Sequence, residues 1–350
     1  MKPPANMRVL RKTTAAAGLQ LTSVPVPLPG PREVLIRVRA AGICGTDYHI
    51  YSWDAWSQQR IKPPLTIGHE FVGEVVACGS HVRTIQPGMR VSAEGHVTCG
   101  VCKFCRTGRG HICRSVKGLG VDRDGCFAEY VVMPEENIWR VPDSVPDKFA
   151  AIYDPLGNAM HTAMTASLSL KKVLIMGAGA IGLFAVSIVK LAGASFVIVV
   201  EPNQFKRNLA AAVGADVVLD PASDDVPARV AELTDGYGPE VILEMSGNPN
   251  AMQQAFRLLS NGGEICLLGI PAGGVQVDWA EDIMFKGITI HGITGRRMFE
   301  TWYQVDEFLL KHAHCLEQCV THVIPFERFE EGFELMRAGS CGKIVLQFPQ

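Results

Sequence analysis

The sequence predicts an α/β protein of two domains: a β-rich, metal-bearing domain and a doubly wound parallel sheet. Three observations lead there. The first is length: at roughly 100–200 residues per domain, 350 residues make two. The second is a change of texture near Asp154, from strands and turns to regular strand–helix alternation. The third is a glycine-rich turn, Gly177-x-Gly179-x-x-Gly182, at the first of those strand–helix junctions.

Composition narrows the class. Lys and Arg number 33 against 35 Asp and Glu, a formal charge of −2. That balance argues against a chain built mainly to hold nucleic acid or an anionic membrane surface. The first twelve residues, MKPPANMRVLRK, contain no apolar run of the secretory kind. No stretch approaches the ~18 uninterrupted apolar residues of a membrane span. The expectation is a soluble cytoplasmic protein with neither nucleic acid nor membrane as partner. There, the 11 cysteines are reduced, metal-bound or catalytic rather than paired. Met7 is a second plausible start, which would make residues 1–6 a short extension.

Residues 8–150 read as strands and turns. Val34–Ala40 alternates apolar and charged residues as a half-buried strand does, and Glu70–Val76 and Phe127–Val132 look similar. Pro and Gly punctuate densely, as in PVPLPGP at 25–31. No helical period is expected to persist here. From Met160 onward, strand signals fall at Lys172–Met176, Phe196–Val200, Val217–Leu219, Val241–Met245, Glu264–Leu268 and Ile288–Ile293. Amphipathic helices suit Ile181–Leu191, Gln204–Val213 and Ala251–Leu259 between them. Such alternation means βαβ units and a parallel sheet. The tail carries helix patterns at Glu300–Lys311 and Phe329–Met336 and a last strand, Lys343–Phe348. It is expected to return to the first domain. The division is therefore 1–157 with 299–350 for the catalytic domain, around 158–298.

The glycine turn has a physical reading. Gly177 allows a tight turn, Gly179 lets the backbone approach a pyrophosphate, and Gly182 lets the helix pack close to the strand. Free N–H groups at the helix start favour the phosphates. Glu201, 19 residues past Gly182, ends the next strand and is placed to bind both ribose hydroxyls. The unit reads as a Rossmann domain that takes NAD rather than NADP, because a 2′-phosphate would meet a carboxylate. Lys206 and Arg207 bring positive charge nearby.

Two constellations read as metal sites. Cys99, Cys102, Cys105 and Cys113 have spacings that suit a closed, structural tetrahedral Zn2+; an iron–sulfur cluster also uses dense cysteines. Cys44, His69 and Glu70 offer three ligands and leave a position open, the pattern of a catalytic zinc. Thr46 and His49, two and five residues past Cys44, make a short path for a proton to reach solvent.

These residues resemble the zinc-dependent medium-chain dehydrogenases over nearly the whole chain from Met7. The resemblance rests on CGTDYHIYSWDAWSQ at 44–58, GHEFVGEV at 68–75, EGHVTCGVCKFC at 94–105, DPLGNAMHTA at 154–163, GAGAIG at 177–182, LEMSG at 243–247, LGIP at 268–271 and MFETWY at 298–303. It implies a GroES-like catalytic domain beside the Rossmann domain, with NAD and two Zn2+ per chain. Cys44, His69 and Glu70 would hold the catalytic ion, and Cys99, Cys102, Cys105 and Cys113 the structural one. Thr46 and His49 would relay the proton, with Asp154 supporting them as a catalytic residue; relatives often place another metal ligand at its position, so the resemblance leaves direct ligation by Asp154 open. Cofactor contacts would come from Ile181, Glu201, Lys206, Leu268, Gly269, Ile270, Ile293 and Thr294. Glu201 stands where the family commonly has Asp, and Lys206 where it commonly has Arg.

The IYSWDAWSQ and MFETWY segments resemble those of family members that act on threonine, which implies L-threonine as substrate and 2-amino-3-oxobutanoate as product. A homotetramer is implied, as is coupling to a CoA-dependent 2-amino-3-ketobutyrate lyase. A polyol or vicinal-diol dehydrogenase is the alternative within the family. A non-catalytic NAD-binding relative is the alternative outside catalysis. His312, His314, Cys315, Cys319 and His322 put five potential ligands in one segment, yet nothing in the resemblance uses them.

Overall fold

Long alternating strands make the frame on which the first half is built. The computed structural model describes residues 3–349; residues 1 and 2 of the expected extension lie outside them. In chain order this half contains β1 (Asn6–Lys12), β2 (Gln20–Pro25), β3 (Glu33–Ile43), α1 (Gly45–Ser52), α2 (Ala55–Arg60), β4 (Leu65–Thr66) and β5 (Glu70–Cys78). There follow β6 (Arg90–Ala93), β7 (His96–Val97), α3 (Lys103–Arg106), β8 (Lys117–Gly118), β9 (Tyr130–Pro134), β10 (Ile138–Arg140) and α4 (Asp147–Ala150). β3 is the spine: it pairs antiparallel with β5 and with β9.

The second half opens with α5 (Tyr153–Thr165), β11 (Lys172–Met176), α6 (Ala180–Leu191), β12 (Phe196–Val200), α7 (Gln204–Ala212), β13 (Val217–Leu219) and α8 (Val226–Leu233). It continues with β14 (Val241–Glu244), α9 (Pro249–Leu258), β15 (Glu264–Leu267), β16 (Thr289–Gly292) and α10 (Glu300–His312). β17 (Val320–Pro325), α11 (Phe329–Ala338) and β18 (Lys343–Gln347) close the chain. β18 returns to β3, where Ile344 lies opposite Ile43.

The parallel sheet runs β13-β12-β11-β14-β15-β16. The order reverses between β11 and β14, so the carboxyl ends of those strands open a crevice. Its central strands β11, β12 and β14 are buried and mostly apolar because both faces are covered, whereas the edge strand β16 is largely exposed. Val173 and Ile175 face one core with α5, α6 and α10. Leu174 and Met176 face the other, with α8 and α9.

Three differences from the sequence reading stand out. Helices α1 and α2 interrupt the stretch expected to lack helix. They bury few side chains, so they carry no apolar stripe; a cap fixes α2, where Asp54 accepts from the Ser57 amide at 2.9 Å. Helix α5 also escaped the reading, because ten of its thirteen residues are buried and an all-round buried helix shows no amphipathic period. The strand expected from Phe127 starts at Tyr130 instead. Phe127 exchanges backbone bonds with Leu10 and Ile67 (2.8 and 2.9 Å), which ties it to the β1 side before the chain joins β3.

Candidate active site and metal centres

The N-terminus of α1 and the start of β5 bring Cys44, His69 and Glu70 together. Their ligand atoms lie within 4.8 Å of one another. Asp47 joins two of them: its Oδ2 accepts from the Cys44 amide at 2.9 Å, and its Oδ1 lies 3.7 Å from His69 Nδ1. Burial works to lower the His69 imidazolium, but Asp47 and then Cys44 outweigh it and raise it well above the ordinary value. Burial raises the Glu70 carboxyl, partly opposed by Lys343 and His69. Lys343, buried on β18, reaches Glu70 Oε2 at 2.5 Å and donates to the Ile43 carbonyl at 2.7 Å. Gly42 makes room for this pair, since a Cβ there would sit 2.1 Å from Glu70 Oε2.

The cluster fits a divalent cation. Glu70 Oε1 is buried without a hydrogen-bond partner, which native proteins seldom leave so. A soft, a borderline and a hard donor together suit Zn2+.

The four cysteines form a separate cage around α3. Their Sγ atoms are 3.5 Å apart for Cys102–Cys105 and Cys99–Cys113, 3.9 Å for Cys102–Cys113 and 4.0 Å for Cys99–Cys105. A tetrahedron of sulfurs at ~2.3 Å from zinc has edges of ~3.8 Å, so the cage fits that ion. None of the eleven cysteines is in a disulfide. The Cys105 backbone N–H pulls the Cys102 thiol down to about 6, while burial and the Cys102 thiol push Cys105 up to about 11, as thiols crowded into one cage share protons.

At the crevice, Gly177 adopts φ +95°, and a Cβ would meet Ser246 Cα at 2.9 Å. Gly179 caps α6 and opens onto empty space, the room a pyrophosphate needs. Glu201 lines a cavity of about 590 Å3 with Gly177, Gly179, Lys206 and Ser246. Its carboxylate also accepts from the Ala178 amide at 2.7 Å, so it steadies the turn.

A second cavity, about 260 Å3, holds Cys44, Glu70, Gly179, Ile181, Gly182 and Lys206 in one wall system. It joins the metal cluster to the dinucleotide turn. Cys341 and Lys343 line it too; neither was singled out for this position by the sequence.

The other expected residues are placed less tightly. Thr46 Oγ1 is 4.0 Å from Cys44 Sγ. His49 is half exposed and bonds through Nδ1 to Asp54 Oδ2 at 2.6 Å. Asp154, in the first turn of α5, is buried and lies 2.7 Å from Arg296 Nη1. Leu268, Gly269 and Ile270 follow β15 and line neither cavity. Gly269 packs on Gly247, where an added Cβ would lie 2.3 Å from the Gly247 nitrogen. Ile293 and Thr294 line a third cavity with His111, His161 and Arg297. The 312–322 segment forms the end of α10, a 3-10 turn and part of β17.

Sequence reasoning missed Asp47, Glu94, Arg296 and Lys343. For Glu94, Arg296 and Lys343 the only signal was charge inside otherwise apolar or glycine-rich stretches, SAEGH, TGRRM and CGKIVL; Asp47 sits in the polar CGTDYH stretch and had none.

Residues 30–143 match the family described as alcohol dehydrogenase GroES-like domain, and residues 180–311 match zinc-binding dehydrogenase. An L-threonine 3-dehydrogenase of Symbiobacterium thermophilum is 49% identical over 341 residues, 97% of each chain. The chain is a zinc-dependent medium-chain dehydrogenase. Another relative in this family, the L-threonine 3-dehydrogenase of Stenotrophomonas maltophilia, is 48% identical over 98% of this chain and 100% of that one. Among solved structures, an alcohol dehydrogenase from Thermus sp. ATN1 superposes with a TM-score of 0.90 at 26% identity, covering 98% of this chain and all of that one. A dehydrogenase from E. coli CFT073, complexed with cofactor NADH, also gives 0.90 at 28% identity, over 99% and 100%. GroES-like and Rossmann parts are thus both accounted for. Among the described residues, no helix is long and apolar enough to cross a membrane.

Proposed function

We propose that this dehydrogenase oxidises the secondary hydroxyl of L-threonine to L-2-amino-3-oxobutanoate, with NAD+ as hydride acceptor. One observation carries the chemistry: Cys44 and Glu70 share a cavity with Gly179, Gly182 and Lys206, so metal and nicotinamide cofactor would meet there. The substrate rests on the relatives named L-threonine 3-dehydrogenase, at 44–49% identity over nearly full length.

Cys44, His69 and Glu70 would hold the catalytic Zn2+, and Cys99, Cys102, Cys105 and Cys113 the structural one. When bound, zinc supplies Lewis acidity to an alcohol oxygen and NAD+ supplies the hydride acceptor. The chain's own residues orient and move the proton. Thr46, beside Cys44, accepts a hydrogen bond from the substrate hydroxyl; His49, held by Asp54, passes the proton outward to solvent. Asp154 stabilises the charge of this relay. Gly177, Gly179 and Gly182 seat the pyrophosphate, and Glu201 favours the unphosphorylated ribose. Ile181 and Lys206, which line the cavity beside Gly179, would contribute to the cofactor seat, with Leu268, Gly269, Ile270, Ile293 and Thr294 assigned to it by the family resemblance.

The catalytic domain is drawn as 1–157 with 299–350, supported by β17 and β18 joining the sheet of β3. The reading includes a homotetramer. β16 is an edge strand that carries exposed Ile290 and follows exposed Trp279, Met284 and Phe285, and such an edge seeks a partner. The product is a β-keto acid that decarboxylates readily, so a CoA-dependent lyase that consumes it is the fitting next enzyme. Eleven unpaired thiols suit the reducing cytoplasm.

The test is NAD+ reduction with L-threonine, sorbitol and 2,3-butanediol side by side, before and after chelation. Turnover of threonine well above the other two, abolished by chelator and restored by Zn2+, is expected. Activity on sorbitol or butanediol alone would remove the substrate assignment.

A further inference from the structure

Arg296 is 2% exposed and ties together residues that lie far apart in sequence. Its Nε donates to Glu94 Oε2 at 2.9 Å, and its Nη2 donates to Glu94 Oε1. Its Nη1 meets Asp154 Oδ2 at 2.7 Å and donates to Asn158 Oδ1 at 3.1 Å. One planar guanidinium therefore spans two buried carboxylates and an amide. The fork fixes direction as well as charge, which an ammonium cannot do.

The fork is itself held. The Trp302 indole N–H donates to Glu94 Oε2 at 2.9 Å, and the His96 amide donates to Glu94 Oε1 at 2.9 Å. Gly157, one turn after Asp154 on α5, clears the path: a Cβ there would lie 2.7 Å from Arg296 Cδ. Along the chain, Arg296 stands in the segment between β16 and α10, just after Ile293 and Thr294. Glu94 follows β6 of the first half. Asp154 lies close enough to the metal cluster that Gly95, were it given a Cβ, would place it 3.7 Å from Asp154 Oδ2 and 3.8 Å from His69 Cβ.

We propose that Arg296 is the positioning residue of Asp154: through the Glu94 fork it aims that carboxylate beside the metal cluster and balances its buried charge. The inference rests on the reading of Asp154 as part of the relay. A buried carboxylate left without its cation is destabilising and free to turn, so Asp154 should depend on Arg296 in both stability and catalysis.

The experiment is a double-mutant cycle of Arg296→Gln and Asp154→Asn in the full chain, read two ways. For kcat, each single variant should lose about 100-fold or more, with KM for threonine changed less than kcat and two Zn2+ retained. The double variant should match Asp154→Asn within about threefold, since partners that act as a unit are not additive. For stability of the chelator-treated protein, Arg296→Gln should lower Tm by about 5 °C or more, and adding Asp154→Asn should restore part of that loss by removing the orphaned charge. Arg296→Lys keeps the charge but not the fork; it should fold and still lose kcat. Independent, multiplicative losses, or a kcat for both Arg296 variants close to that of the unmodified protein, would overturn the proposal. If Asp154→Asn alone leaves kcat intact, it is the reading of Asp154 that fails.

Discussion

The two metal centres are built by opposite strategies. The four-cysteine cage comes from fifteen consecutive residues, Cys99 to Cys113, on a lobe with little buried apolar surface. Its sulfur–sulfur spacings of 3.5–4.0 Å already fit zinc. The Cys44 centre draws on α1, β5 and β18, three elements spread over the whole chain, and lies under buried charge from Asp47 and Lys343. A local cage needs only loop geometry; a discontinuous one needs the entire domain in place. The difference teaches where function and stability are coupled. The cage can fail as a staple, whereas damage to the Cys44 centre reaches both chemistry and core.

The strongest way to separate the centres is Cys44→Ser. Turnover should fall at least about 1,000-fold, with zinc dropping from two ions to one per chain by elemental analysis. Retention of both ions would break the assignment of Cys44.

Lys343→Met tests whether the second centre is wired into the core. It leaves Glu70 buried beside apolar atoms, a loss of about 3–5 kcal/mol by analogy with broken buried pairs. Urea unfolding of the chelated protein measures it. A change under about 1 kcal/mol would mean that Glu70 is satisfied without its lysine.

Cys102→Ser addresses the cage. The thermal midpoint should fall by roughly 10 °C, while turnover per catalytic zinc at low temperature stays within about tenfold. Loss of turnover without loss of stability would contradict a purely structural role.

The smallest effect is a pH dependence centred on Glu94. Burial works to raise this carboxyl, but Arg296 and then His96 overcome it and hold it well below the ordinary value of 4.5. A depressed folded value means the folded state binds fewer protons, so this contribution is present above pH ~4.5 and is lost as pH falls through the folded value. Chelated protein should therefore lose about 2 kcal/mol in acid from this group, and Glu94→Gln should flatten that limb of a denaturation series. An unchanged acid limb would show that other carboxylates carry it.

Much of the fold was legible because periodicity reports burial. β11, β12 and β13 begin and end where the apolar runs do, and α6, α7 and α9 differ from the expected helices by only a residue or two at their ends. α1 and α2 were not legible, since their ends are set by Cys44, Asp47 and Asp54 contacts rather than by a stripe. α5 was hidden for the opposite reason, being buried on nearly every side. Among site residues, Cys44, His69, Glu70 and the four lobe cysteines stood out by type and spacing. Glu94, Arg296 and Lys343 did not, because a buried ion pair between residues 202 positions apart leaves no spacing to read.

By itself, the sequence determined the parts: a strand–turn–helix that seats a dinucleotide, four thiols at cage spacing, and a Cys and a His-Glu pair able to hold a cation. These depend on local backbone geometry and donor chemistry, which neighbouring residues dictate. Only the tertiary structure decided that the Cys44 cluster opens into the cavity of Gly179 and Gly182, that Lys343 balances Glu70, and that Arg296 balances Glu94 and Asp154 beside it. The physical reason is that an uncompensated charge in a low-dielectric interior is costly. Its partner is whichever side chain the packed chain brings within about 3 Å, however distant in sequence.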